Sequence, residues 1–168
     1  MKSGLGASLA DNFKQNTYLG YLALVRILVG VLFLQVALPK VSGRFLSGNV
    51  LPRQLLNGIQ KDPLGWHRAF ITGFVIPHGH LFSYLSAFGE VAIGLSLVFG
   101  CLVRISSLFG ALYNFNILFS VAYSAGGGTV NYNRVLILLH LIFVSASAGR
   151  ALGIDGLLKR RFPHTWLF

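Results

Sequence analysis

"FGEVAIGLSLVFGCLVR", residues 88–104, lies inside an apolar run that starts at Leu81 and ends against Arg104. At a rise of about 1.5 Å per residue, about 20 apolar residues cross a hydrocarbon core of about 30 Å. In lipid a backbone must satisfy its own polar groups, so a run this long and continuous reads as a membrane-crossing helix. Yet it carries Glu90, one of only four acidic residues in the chain. The run points to the fold, and the carboxylate asks what the fold is for.

Working outward, three further runs have spanning length. Residues 18–38 are stopped by Pro39-Lys40, residues 105–124 by the glycines Gly126 to Gly128, and residues 134–151 end near Gly153. With 81–103 they make four spans, so the expected fold is an all-α integral membrane protein, an antiparallel four-helix transmembrane bundle. Residues 1–17 read as an N-terminal surface segment, 18–152 as one membrane domain and 153–168 as a basic tail. The gap between the first two spans is too long for a turn. Its pair Asp62-Pro63 reads as N-cap and first helical residue, predicting an interfacial helix over 63–76. Its apolar face is Trp66, Phe70 and Phe74, widened by Ile71 and Val75, with His67, Arg68 and Thr72 lying away from it.

Composition agrees. The chain is 54% hydrophobic and 11% charged, against about 25% charged in soluble domains. The formal charge of +10 could indicate nucleic acid, but the basic residues stand singly between apolar runs or cluster at their ends. That pattern meets lipid headgroups, so the expected partner is a bilayer and no nucleic acid. Cys101 is the only cysteine, which excludes an intrachain disulfide, a dithiol relay or a cysteine-bound cluster. No convincing metal-ligand set is present; His78 and His80 have no carboxylate nearby, and Gly126 to Gly128 read as a flexible turn rather than a phosphate loop. The cluster Lys159-Arg160-Arg161 and the short link between the second and third spans favour both termini in the cytoplasm.

The polar residues inside the spans are the candidates for function. Arg26, Gly30, Phe33, Ala37 and Lys40 share one helix face, and so do Ser83, Ala87, Glu90, Gly94, Leu97, Cys101 and Arg104. The second stripe is rich in small residues, as helix contacts in lipid are. Counted from the cytoplasmic end, Arg26 lies roughly 12 Å deep, Glu90 about 18 Å and Asn114 about 14 Å. An ionisable residue at such depth costs at least about 2.5–3.5 kcal/mol and normally has a partner. Depth therefore pairs Arg26 with Glu90, with Asn114 or Asn116 completing the group and His140 facing the bundle from the fourth span. Lys40, Arg104 and Trp66 read as interfacial. The cluster has three readings at this stage: a register-fixing pair, a pocket for a quinone head group, or a proton path. His140 reads first as a satisfied core histidine.

Several of these stretches resemble the DoxX/DoxD family of small four-helix membrane proteins. "LVRILVGVLFLQVALPK" is similar to that family's first span, with its Arg, spaced Gly and closing Lys. "WHRAFITGFVIPHGHLFSYLSAFGEVAIGLSLVFGCLVR" resembles the DoxD-like branch, "GALYNFNILF" its Asn-x-Asn, and "AGRALGIDGLLKRRFP" its closing segment. The resemblance covers about residues 18–163. It implies polar family positions at Arg26, Lys40, Glu90, Arg104, Asn114 and Asn116, and a link to thiosulfate:quinone oxidoreductase membrane subunits. At "TVNYNR" the chain departs from the family, having no proline before the fourth span. Two function classes follow: a membrane subunit of a quinone-linked redox complex, or a non-catalytic accessory subunit of a larger respiratory or photosynthetic assembly. Either way an enzyme activity would need a partner. Transport is a third class, weakened by the small size and the lack of paired broken helices.

Overall fold

The structure, a computed structural model, describes residues 17–167. The expected surface segment 1–17 lies, except for Thr17, outside the described residues. The described chain is helical, with no strand. Seven helices follow in order: α1 Thr17–Ser42, α2 Val50–Gly58, α3 Gly65–Phe70, α4 Gly79–Phe99, α5 Val103–Ala125, α6 Gly127–Ala146 and α7 Ile154–Arg161. Helices α1, α4, α5 and α6 have the length and hydropathy of membrane spans, and only 28–39% of each span is buried. The rest is apolar surface such as Leu28, Leu85, Phe109 and Leu138, the outside of a bundle whose solvent is lipid.

The span ends differ from the expected ones for local reasons. Helix α1 runs through Pro39 to Ser42, because a proline one turn from a helix end removes only one backbone bond. Helix α6 begins at Gly127, not Arg134. The single residue Gly126, at φ +112°, makes the reversal, and Gly127 and Gly128 are already helical. Two stretches widen into π-helix, Ile71–Val75 after α3 and Leu118–Ala122 within α5.

Small residues set the packing. A Cβ on Gly30 would sit 2.9 Å from the Gly94 carbonyl oxygen, so α1 and α4 touch backbone to backbone. Helices α5 and α6 pair just as closely, with Gly110 leaving room for the His140 ring. One core joins Phe33, Ile93, Leu97, Leu136 and Phe143 between the spans. A second core, Phe45, Leu51, Leu55, Ile59, Ile71, Val75 and Ala87, folds residues 45–75 down onto the bundle.

Here the expected face of the interfacial helix is corrected. Trp66, Phe70 and Phe74 are exposed, while His67, Ile71 and Val75 are buried. Aromatic residues beside lipid need no burial in protein. His67, whose polarity placed it outside, is held inside by hydrogen bonds.

Candidate functional site

The two charges expected to pair do not meet. Arg26 is fully buried, and its guanidinium donates from Nη1 to the Ala148 carbonyl (3.2 Å) and from Nη2 to the Leu152 carbonyl (3.0 Å). Those carbonyls lie past the end of α6. In a helix the Cα–Cβ bond tilts toward the N-terminus. Arg26 on α1 therefore reaches toward the start of α1, whereas Glu90 on the antiparallel α4 reaches the opposite way. Equal depth at the backbone becomes divergence at the side-chain tips.

The same tilt brings Lys40, at the far end of α1, down to Glu90. Lys40 Nζ lies 2.5 Å from Glu90 Oε1, and the Tyr113 hydroxyl donates to the same oxygen. Lys40 Nζ is also 3.4 Å from the Tyr113 oxygen, and Ser86 Oγ is 2.9 Å from it. Tyr113 has one hydroxyl hydrogen, committed to Glu90, so Ser86 is the donor in that last bond. Lys40 is thus less an interfacial anchor than the counter-charge of Glu90. The second carboxylate oxygen, Glu90 Oε2, is buried and has no partner.

Glu90 and Lys40 line a cavity of about 190 Å³ whose other walls come from α1, α5 and α6. Phe33, Ile117 and Leu136 supply apolar surface, and Tyr113, Asn114, Tyr132 and Asn133 supply polar groups. Exposed Val36 and Tyr132 stand on its α1 and α6 sides. Asn114 and Asn133 each donate to the carbonyl four residues back, Gly110 and Thr129, which leaves each amide a second hydrogen.

The remaining expected members are dispersed. Asn116 sits on another face of α5 and bonds to His67 (3.2 Å). His140 is fully buried, has no hydrogen-bond partner on either ring nitrogen, and packs edge-on against Phe33 and Phe143. Arg104 donates to Ser147 Oγ and the Trp166 carbonyl, both at 2.5 Å, with its guanidinium over the Trp166 ring. The polar cluster of five is therefore four separate places: Arg26 at one end, Glu90 with Asn114 at a cavity, Asn116 beside His67, and His140 among aromatics. The sequence reading missed Tyr113, a polar group one residue before Asn114, and Tyr132 on α6. It read Asp62 only as an N-cap and gave another buried acid, Asp155, no role. Asp62 caps no helix but accepts from Leu64 N–H (2.8 Å) and bonds to His67 Nδ1 (2.6 Å). Their scarcity in this chain was the available signal.

Among the described residues no group of three or more His, Cys, Asp or Glu could hold a metal ion. Compared with known proteins, residues 21–122 match the family model DoxX, a stretch that is more than half of the chain. It contains Arg26, Lys40, Glu90, Arg104, Asn114 and Asn116, and it stops short of His140. Comparison with curated proteins gives no match, and comparison with solved structures gives none.

Proposed function

This chain belongs to the DoxX family, and we propose that it is a small membrane subunit of a quinone-linked redox complex that holds a quinone head group beside Glu90. The observation that carries the reading is Glu90 Oε2, a buried carboxylate oxygen with no donor, on a residue that lines a cavity between the spans. Buried polar atoms are nearly always bonded, so an orphan at a cavity invites a ligand that completes it. The residues present fit such a head group. Lys40 retains an N–H for a carbonyl oxygen, Glu90 Oε2 accepts from a hydroxyl, and the apolar walls suit a ring. A bound quinone would supply a lipid-soluble two-electron acceptor. Lys40 would orient it, Glu90 would hold or receive a proton at Oε2, and Tyr113 with Ser86 would keep the carboxylate aimed.

With one cysteine the chain offers no dithiol, so this reading assigns the electrons to a partner subunit. It places the protein in a prokaryotic inner membrane with both termini cytoplasmic, supported by the basic cluster on α7. The second reading, an accessory subunit without a ligand, draws on the same lack of a dithiol. Titration of the purified chain in lipid nanodiscs with a decyl-hydroquinone, whose hydroxyl can donate to Glu90 Oε2, separates them. Saturable binding, weakened tenfold or more by Glu90→Gln and by Lys40→Met, supports the quinone subunit. No saturable binding, or binding that both variants leave unchanged, overturns it.

A further inference from the structure

A second cavity, of about 300 Å³, lies on the other side of Tyr113. Leu55, Ile71 and Val75 cover it from the segment between α1 and α4, and α4 and α5 form its inner wall. Phe70 and Leu85, both exposed to lipid, stand among its lining residues. No charged residue lines it, and its polar groups, Ser86, Tyr113, Asn116 and Ser120, all come from α4 and α5. We infer that this cavity is a second ligand site, distinct from the one beside Glu90, for an uncharged lipid-soluble molecule with a hydroxyl head of the phenol or hydroquinone class.

The hydrogen-bond valences select that head. Tyr113 spends its hydrogen on Glu90 and Ser86 spends its own on Tyr113. Ser120 donates to the Asn116 carbonyl (2.6 Å). The three hydroxyl oxygens therefore have only lone pairs to offer. Asn116 donates one amide hydrogen to the Leu112 carbonyl (2.9 Å) and keeps the other. One donor beside several acceptors matches a group that both accepts and donates, which a hydroxyl does and a bare carbonyl does not.

Asn116 is also held with unusual care. His67 bonds to its Oδ1, and Asp62 bonds to His67 in turn. Asp62 and His67 are both buried, and burying two titratable groups is costly unless each is bonded. The chain Asp62–His67–Asn116 fixes the amide that the ligand would meet, which makes Asp62 and His67 positioning residues. In addition, both π-helical turns among the described residues border this cavity, through Ile71 and Val75 in one and Ser120 in the other. Such turns recur at functional sites because they re-aim side chains.

The test uses the full-length chain in nanodiscs with a decyl-hydroquinone, counting bound molecules by mass spectrometry of the intact protein. Leu85→Trp plugs this cavity and Val36→Trp the one beside Glu90; both positions are lipid-exposed, so the core is undisturbed. The expected result is two molecules per chain and one in either variant. Asn116→Leu should weaken, by about tenfold, only the molecule that Leu85→Trp excludes. His67→Ala should do the same, and His67→Gln, which keeps a donor toward Asn116, should recover most of the loss. Loss of one molecule in Leu85→Trp supports the site even if Val36→Trp changes nothing, an outcome that would count against the Glu90 reading alone. Occupancy unchanged by Leu85→Trp overturns the second site.

Discussion

Asp155 and Glu90 are equally buried, at 2% and 3% exposure, yet one is complete and the other is not. Asp155 stands at the Arg26 end of the bundle. Its Oδ1 accepts from Leu102 N–H (2.7 Å) and its Oδ2 from Val103 N–H (2.9 Å), while its own N–H donates to the Gly100 carbonyl. The carboxylate caps the first turn of α5, where free N–H groups and the helix dipole favour a negative charge. Arg26 meanwhile covers carbonyls beyond α6. At the Lys40 end, Glu90 leaves an oxygen unpaired beside a cavity. The polar atoms of the first end are mostly spent on backbone, which stabilises the fold. Those of the second retain capacity for a ligand.

The sharpest way to break this contrast is Asp155→Ala. It strands two N–H donors that now have charge-assisted bonds, so unfolding stability should fall by about 3–5 kcal/mol. A denaturant or thermal titration of the purified chain reads it, and a loss no larger than that of Glu90→Gln would erase the distinction. Next comes Gly30→Ala, whose Cβ would press on the Gly94 carbonyl at 2.9 Å. It should cost about 1–3 kcal/mol by forcing α1 from α4, and because it tilts the α1 wall it should also weaken quinone binding. Glu90→Gln should change stability by less than about 1 kcal/mol, since Lys40 is partly exposed and can turn to the headgroups. Its main effect should be on binding.

The smallest effect concerns Cys101, in the link between α4 and α5. Burial pushes its thiol up from the usual range, and the nearby Asp155 charge adds to the rise. Less thiolate is present at any given pH, so alkylation should be slower than for a free thiol and its rate profile displaced to higher pH. Asp155→Asn should move the profile part of the way back, and a profile like that of a free thiol would remove Asp155 from the neighbourhood of the link.

Much of the architecture could be read from one strand of text because hydropathy and length are local. The run holding Glu90 needs no knowledge of its neighbours to be recognised as a span, and the stripe through Gly94 announces a close helix contact. The site was legible only in part. Glu90, Asn114 and Lys40 were noticed, but depth counted along helix axes paired Glu90 with Arg26. Side chains five or six atoms long, tilted in opposite senses on antiparallel helices, end far from where their Cα atoms suggest. His67 misled for a similar reason: its exposure depended on Asp62 five residues before it and Asn116 forty-nine after it, which periodicity cannot see.

The sequence by itself thus determined that the chain is a helical membrane bundle with a few charges inside, because each run's transfer into lipid is decided by its own composition. Only the tertiary structure decided which charge is fully bonded and which keeps an unpaired oxygen. That depends on how many hydrogen-bond partners converge on each group from distant helices, and valence is counted in space.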